Sequence, residues 1–245
     1  GGGAAGGGGG GARYVTAASG VTVYRGDAVR KGVRGNVFVG DVGSNLVHRK
    51  VIEFPKDRVQ PVARRAKGEE KREFLASPDN WFRPVQCANG PDGALYIVDM
   101  YRETIEHPWS IPESIKKHLD LYSGNDRGRI WRVIPKGFVR PAKQPLERAM
   151  RRDLFESLQS ENGWTRDTSA RLLLEQIEED GINRLIPMIR SEAIEERVRL
   201  AALRLFLSRR KLGGLAPLLV QDASAEIRRA AVRGWDSNQD GLFAP

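Results

Sequence analysis

Six side chains that suit the binding of an anionic or planar polar group lie near the ends of two neighbouring segments of the sequence. They are Asn80, Trp81, Arg83, Asp99, Tyr101 and Arg102. An arginine guanidinium forms paired hydrogen bonds with carboxylate or phosphate oxygens, and it also stacks on flat rings. These residue types therefore predict a cofactor- or substrate-binding site in which Arg83 orients or neutralises an anionic group.

A second interpretation of the same residues is structural. Arg83 and Asp99 then pair with each other, and Trp81 fills a gap between packed sheets. Asp41 and Asp99 stand at equivalent ends of two similar segments, where each either binds a cation or accepts backbone N–H bonds from the following turn. The residue types alone leave both pairs of interpretations open.

Metal binding is not predicted. His48, His107, His118 and Cys87 have spacings that match no known ligand pattern. Cys87 is the single cysteine, which excludes an internal disulfide and a Cys-x-x-Cys redox pair. The sequence also contains no recognisable Ser-His-Asp arrangement, phosphate-binding glycine loop or c-type haem motif.

The six candidate residues flank a predicted antiparallel hairpin. Residues 82–88 form a short, mostly apolar strand candidate, and residues 94–98 form an apolar run rich in aromatic and β-branched side chains. Residues 89–93 between them contain Asn, Gly, Pro and Asp, which favour a tight turn. Strand 82–88 therefore begins at the edge of the sheet where strand 94–98 ends, and the candidate residues meet there.

The hairpin pattern has a second copy upstream. Residues 35–41 match residues 93–99 at the glycine, the aromatic residue and the final aspartate, and strand candidates follow at 45–49 and 128–133. Repeated antiparallel units of this kind predict blades of a β-propeller, because one unit cannot cover its own apolar faces. Two blades do not close a ring, so we expect residues 13–135 to be the C-terminal blades of a larger propeller.

The two copies differ by one long insertion, residues 100–127, which opens at the predicted site. Loops of this length are usually functional or disordered, and the Trp, Tyr, Ile and Leu content of this one favours an ordered loop. Proline near the start of residues 112–119 predicts a short helix there. Upstream, strands are predicted at 13–18, 21–24, 59–64 and 72–77.

The second half of the chain changes to helical periodicity. Residues 136–145 predict a linker, and residues 146–245 predict an α-solenoid of HEAT-like helical hairpins. Helices are predicted at 146–158, 168–179, 182–190, 196–208, 212–220 and 225–235. Arg166, Arg199 and Arg228 each precede a small residue by three positions, which marks the repeat. Residues 1–12, rich in glycine, predict a disordered segment.

Composition narrows the classes of partner. The chain has 245 residues and a formal net charge of +9, from 40 basic and 31 acidic residues. Basic and acidic residues are interleaved through both halves, which argues against specific nucleic-acid binding. No run of about 18 apolar residues is present, so no membrane-spanning helix is predicted.

Several motifs resemble one family closely. Residues 35–41 (GNVFVGD), 79–85 (DNWFRPV), 89–96 (NGPDGALY) and 126–133 (DRGRIWRV) are similar to segments of large bacterial proteins described as membrane-bound dehydrogenases. In that family a propeller similar to glucose/sorbosone quinoprotein dehydrogenases precedes HEAT repeats, and many members add a c-type cytochrome domain. The resemblance covers roughly residues 14–235.

The resemblance implies a sugar- or alcohol-oxidising protein that uses pyrroloquinoline quinone (PQQ) and calcium and passes electrons to the cytochrome domain. It also implies a periplasmic or membrane-associated location and a protein partner for the helical repeats. The blades that supply the catalytic histidine in the relatives have no counterpart here, so we expect this chain to be inactive alone. The alternative is a non-catalytic propeller and HEAT scaffold that binds protein or polysaccharide.

Overall fold

The structure is a computed structural model of the chain, and it describes residues 17–29, 32–55, 60–141, 146, 151–176, 179–209 and 212–234. The chain divides into two compact units, Gly1–Pro141 and Ala142–Pro245. The segment predicted to be disordered, residues 1–12, lies outside the described residues, as does most of the strand predicted at 13–18.

The first unit begins with a five-stranded antiparallel sheet. Its strands are β1 (Ala18–Val23), β2 (Val37–Asp41), β3 (Leu46–Glu53), β4 (Val62–Arg64) and β5 (Leu75–Ala76). The order is β1-β2-β3-β4, and β5 pairs with the start of β3. Alternation along β2 places Phe38 in the core, while its neighbours on the strand are half-buried.

A second antiparallel sheet of three strands follows in the order β6-β7-β8, with β6 (Pro84–Asn89), β7 (Leu95–Asp99) and β8 (Arg129–Val133). The predicted hairpin is confirmed as β6 and β7, which pair from Asn89 with Leu95 to Pro84 with Asp99. Gly93 at the turn has φ of 77°, a conformation that glycine adopts without steric cost.

The two sheets pack on each other through an apolar cluster that contains Tyr24, Phe38, Phe82, Leu95 and Ile97. Beside it, side chains of β1 reach the neighbouring sheet: Ser19 Oγ donates to the Pro84 carbonyl at 2.6 Å and Tyr24 Oη donates to the Gly93 carbonyl at 2.5 Å. The two matching segments, 35–41 and 93–99, therefore contribute strands to separate sheets, as their repetition predicted.

Three predicted elements of the first unit are shorter than expected. The strand predicted at 59–64 is observed as β4, and residue 59 lies outside the described residues. The strand predicted at 72–77 is reduced to β5, because the backbone turns just before it: the Arg72 N–H bonds to the Glu69 carbonyl at 3.5 Å. The helix predicted at 112–119 is only α1 (Glu113–Lys116). None of its residues is buried, and a helix without a packed face gains little stability in water.

The second unit is helical in its described residues. Its helices are α2 (Arg151–Ser157), α3 (Gly163–Gln176), α4 (Leu185–Arg190), α5 (Glu196–Leu207), α6 (Ala216–Leu219) and α7 (Ala225–Gly234). Helix α3 begins earlier than predicted because the Asn162 side chain accepts the Trp164 N–H at 3.0 Å and caps it. Short 3-10 turns at Glu179–Arg184 and Gly213–Leu215 replace the first residues of two predicted helices.

The helices enclose a core of their own, which includes Leu154, Leu173, Leu185, Ile189 and Leu203. The predicted combination of β and α structure is confirmed, with antiparallel sheets that do not close on themselves within the described residues. Throughout the described parts of both units, each helix is too short or too polar to cross a lipid bilayer.

Candidate functional site

Arg83 is the centre of the predicted site, and its guanidinium is bonded to the backbone of three separate residues. Its Nε donates to the Arg102 carbonyl at 2.8 Å, its Nη1 to the Val42 carbonyl at 2.7 Å and its Nη2 to the Glu103 carbonyl at 2.7 Å. Val42 belongs to the turn after β2 in the first sheet. Arg83 therefore ties the start of β6 to the other sheet and to the insertion.

The Arg83 side chain is partly shielded from solvent. Burial lowers the pKa of Arg83 from its ordinary value, and the nearby carboxylates of Glu106, Asp79 and Asp99 oppose this effect. A guanidinium pKa lies so far above neutrality that the group stays charged. Two of the three charge-assisted bonds, to the Arg102 and Val42 carbonyls, are thus part-buried and stronger than in water, and the bond to the Glu103 carbonyl is exposed.

Asp99 receives hydrogen bonds from three directions. Its Oδ1 accepts the backbone N–H of Arg83 at 2.8 Å and of Tyr101 at 2.9 Å. Its Oδ2 accepts the indole N–H of Trp131 at 3.0 Å. The Arg83 and Asp99 side chains do not form the ion pair that the structural interpretation expected, because the Arg83 guanidinium donates to three carbonyls; Arg83 bonds Asp99 through its backbone N–H.

An aromatic and cationic stack lies beside these residues. The rings of Trp81 and Tyr101 have centroids 5.6 Å apart at an interplanar angle of 60°. The Arg129 guanidinium lies 3.7 Å from the centroid of the Tyr101 ring, which is a cation–π contact. Trp81, Tyr101 and Arg129 are each half-buried, so this stack is accessible from solvent.

The backbone of Tyr101 has a strained conformation at the point where the insertion returns over it. Tyr101 has φ of 51°, which is uncommon for an aromatic residue. Gly124 passes close to it, and a Cβ on Gly124 would lie 2.3 Å from the Tyr101 carbonyl oxygen. The return of the insertion over Tyr101 therefore requires glycine at position 124.

The remaining predicted residues border this region. Arg102 donates its backbone N–H to the Trp81 carbonyl at 3.1 Å and its Nη1 to the Tyr122 carbonyl at 2.8 Å. Asn80 is exposed, and its carbonyl accepts a bond from Asn45 at 3.0 Å. The six predicted residues, Asn80, Trp81, Arg83, Asp99, Tyr101 and Arg102, thus come together with Arg129, and we call this group the hairpin-end site.

Sequence reasoning missed three contributors to the hairpin-end site. Asn45 has φ of 56° and donates from Nδ2 to the carbonyls of Asn80 and Phe82 at 3.0 and 2.7 Å. Asn tolerates positive φ, so its place at the end of a tight turn was a usable signal. Arg129 and Trp131 reach the site only through the pairing of β8 with β7, in which Asp99 lies opposite Arg129.

Asp41, the counterpart of Asp99 in the first sheet, accepts the backbone N–H groups of Gly43 and Ser44 at 3.0 and 3.1 Å. This is the turn role that was one of its two predicted alternatives. Across the residues that the structure describes, His, Cys, Asp and Glu side chains do not gather in threes that could hold a metal ion.

Arg83 and Asp99 do not fit the roles of binding PQQ and calcium. An anionic quinone needs a cation with free donors, but the Arg83 guanidinium donates to three carbonyls. Calcium needs several oxygen ligands, whereas both Asp99 carboxylate oxygens are already bonded to N–H donors. We therefore assign no cofactor chemistry to Arg83 or Asp99.

The fold and the site can be set beside known proteins. No curated protein and no solved structure matches the chain. One family model does match, and its description is "Domain of unknown function (DUF7133)". The match spans residues 7–137, which is more than half of the 245 residues and includes both sheets and the whole hairpin-end site. The chain belongs to the DUF7133 family.

Proposed function

We propose that this chain is the binding part, rather than the catalytic part, of a propeller protein similar to the sugar and alcohol dehydrogenases. The two packed sheets are taken as consecutive propeller blades and the helical unit as a HEAT-like docking array. The hairpin-end site is the sugar- or polyol-binding rim of the propeller. The helical array is the surface for a protein partner such as the cytochrome domain that the resemblance implies.

The observation that carries the proposal is the stack of Trp81, Tyr101 and Arg129 at the end of the hairpin. It combines partly exposed aromatic faces with a guanidinium whose side chain is 37% exposed. Aromatic faces pack against the C–H groups of a sugar ring, and a guanidinium donates to its hydroxyl oxygens. A neutral polyhydroxy ligand needs no free counter-charge, which suits a site where Arg83 is already bonded.

Arg83 has a positioning role in this proposal. By bonding Val42, Arg102 and Glu103, it holds the insertion against the end of β6, and this keeps Trp81 and Tyr101 side by side. The side chain orients the surface and does not contact the sugar. In this proposal, cofactor binding and hydride acceptance belong to other blades of the propeller.

The second candidate, a non-catalytic scaffold that binds polysaccharide, is favoured by one specific observation. The Trp109 side chain is 92% exposed on a 3-10 turn of the insertion, and Tyr122 is 72% exposed. Exposed aromatic rings on an ordered loop suit a long chain of sugar units better than a single small substrate.

Calorimetric titration of the chain with glucose, sorbitol and cellohexaose tests the proposal and separates the candidates. We expect glucose or sorbitol to bind, and we expect Trp81→Ala to weaken binding about tenfold, as the loss of about 1.4 kcal/mol implies. Trp109→Ala is the matched control, since it removes an exposed ring of the insertion outside the site.

Binding of cellohexaose alone, weakened by Trp109→Ala, supports the scaffold candidate instead. Absence of any sugar binding, or equal binding by wild type and Trp81→Ala, contradicts the proposed rim. A thermal-shift series with PQQ and calcium complements the titration, because a ligand that prefers the folded state raises the melting temperature. We expect no rise with this chain.

A further inference from the structure

The helical unit has a basic cleft on its last described helix. The cleft has a volume of about 570 Å³, and its lining residues come from α7 and the end of α6: Val220, Ala225, Arg228, Arg229, Val232 and Arg233. Five of them lie at spacings of three and four along α7 and therefore share one helix face. The opposite face of α7 carries Ile227 and Ala231, which are buried.

The arginine equivalent to Arg228 in the preceding repeat binds a carboxylate. Arg199 on α5 occupies the same place in the repeat as Arg228, 29 positions before it. Its Nη1 and Nη2 both contact the Asp222 carboxylate, and its Nε donates to the Ile189 carbonyl at 2.9 Å. Burial raises the pKa of Asp222, but the hydrogen bonds from Arg199 and the Ser224 backbone, together with the charges of Arg199 and Arg228, hold the pKa below its ordinary value.

The arginines of the cleft bond to fewer acceptor atoms than Arg199 does. Arg228 uses Nη1 alone, which donates to the carbonyls of Asp222 and Ala223 at 2.6 and 2.9 Å. Arg229 pairs with Glu226 of its own helix. Within the described residues, Arg233 has no hydrogen-bond or ion-pair partner. Val232 beside it is 61% exposed.

We propose that this basic cleft binds an acidic peptide segment of a partner protein, in which an aspartate is flanked by small apolar residues. The aspartate meets Arg228 and Arg233 as Asp222 meets Arg199, and the apolar neighbours cover Val220 and Val232. The proposal deepens the proposed docking role of the helical unit and rests on it, but it is independent of sugar binding at the hairpin-end site.

Charge and shape favour a peptide over a nucleic acid. The cleft holds three arginines, interleaved with Val220, Ala225 and Val232, and no aromatic side chain. Binding to single strands relies on aromatic rings for base stacking, and binding to duplexes relies on many phosphate contacts. A short acidic and apolar segment satisfies both the arginines and the valines.

The test uses the chain's own acidic loop as the probe. A fluorescent peptide with the sequence of residues 219–227 (LVQDASAEI) is titrated with the whole chain and followed by anisotropy. The control peptide carries Asp222→Asn and Glu226→Gln. The test variant of the protein is Arg233→Glu, and the matched control is Arg204→Glu, an exposed arginine at the equivalent position of α5 that does not line the cleft.

We expect the acidic peptide to bind, the control peptide to bind at least about tenfold more weakly, and Arg233→Glu to weaken binding about tenfold. Arg204→Glu leaves binding within about twofold. Circular dichroism melting checks that both variants fold. We expect both to fold, because both positions are exposed.

The proposal is overturned if both peptides bind equally, if neither binds, or if Arg204→Glu weakens binding as much as Arg233→Glu. It is also overturned if an oligonucleotide displaces the peptide and loses affinity with Arg233→Glu, or if this variant instead abolishes self-association of the chain. None of these outcomes affects the sugar titration. A result that overturns peptide binding at the basic cleft is therefore distinguishable from a result that contradicts sugar binding at the rim.

Discussion

Replacing Arg83 by methionine removes the hydrogen bonds that join the start of β6 to the turn at Val42 and to the insertion. Methionine keeps an aliphatic side chain of similar length at this position. Two of its three hydrogen bonds, to Val42 and Arg102, are part-buried, and the third, to Glu103, is exposed. A bond from a charged donor contributes about 1.5 kcal/mol or more. Counting only the part-buried bonds, we expect Arg83→Met to lower the free energy of unfolding by about 3 kcal/mol.

Differential scanning calorimetry and hydrogen exchange measure this effect. A loss of about 3 kcal/mol lowers the melting temperature of a unit of this size by about 10 °C. Exchange reports where the loss occurs, since the backbone N–H groups of Met100 and Arg102 bond to Arg83 and Trp81. We expect both amides to exchange faster in the variant.

The matched control is Arg102→Met, which loses one exposed hydrogen bond to the Tyr122 carbonyl. Exposed contacts of this kind contribute less than about 1 kcal/mol. If Arg83→Met destabilises the chain no more than Arg102→Met does, or if exchange in the insertion is unchanged, then Arg83 does not hold the site together and the reasoning is wrong.

Three further predictions concern buried or half-buried polar groups of the first unit. Asp99→Asn leaves one N–H donor without an acceptor, and we expect denaturant unfolding to show a loss of about 2 kcal/mol. Burial raises the pKa of Glu73, but the hydrogen bonds from Arg65 and His48, together with the charges of these two side chains, hold the pKa below its ordinary value of 4.5. This stabilisation is present above pH 4.5 and is lost as the pH falls through the lower, folded-state pKa. Glu73→Gln should therefore flatten the acid limb of the stability curve. Burial raises the pKa of Cys87 to about 11, so iodoacetamide at pH 8 should label the native chain far more slowly than the chain in guanidinium chloride.

The hairpin and its neighbours were predictable because their signals are local. Residues 89–93 carry turn formers between two apolar runs, and the observed β6 and β7 end within a few residues of the predicted bounds. The polarity of an antiparallel pair then places Arg83 and Asp99 at the same end, where the backbone of Arg83 bonds the Asp99 carboxylate at 2.8 Å. These conclusions needed no knowledge of the rest of the chain.

The bonding of Arg83 was not predictable from residue types. A carboxylate or a ligand is the expected partner for an arginine, whereas Arg83 donates to three carbonyls. Carbonyl groups exist at every residue, so the sequence gives no sign of which ones turn toward a side chain. The position of Arg129 likewise depends on the register between β7 and β8, which a 28-residue insertion (residues 100–127) separates in sequence.

The most direct test of the rim is the spectrum of the tryptophan indole N–H groups during titration with glucose or sorbitol. The chain has five tryptophans, so each assigned indole reports on its own surroundings. We predict that the Trp81 indole signal shifts with sugar concentration, together with that of Trp131, whose N–H bonds to Asp99. Trp164, in the helical unit, serves as the internal control. A titration in which the Trp81 signal stays fixed while other indole signals move, or in which none moves, contradicts a sugar-binding rim at the end of the hairpin.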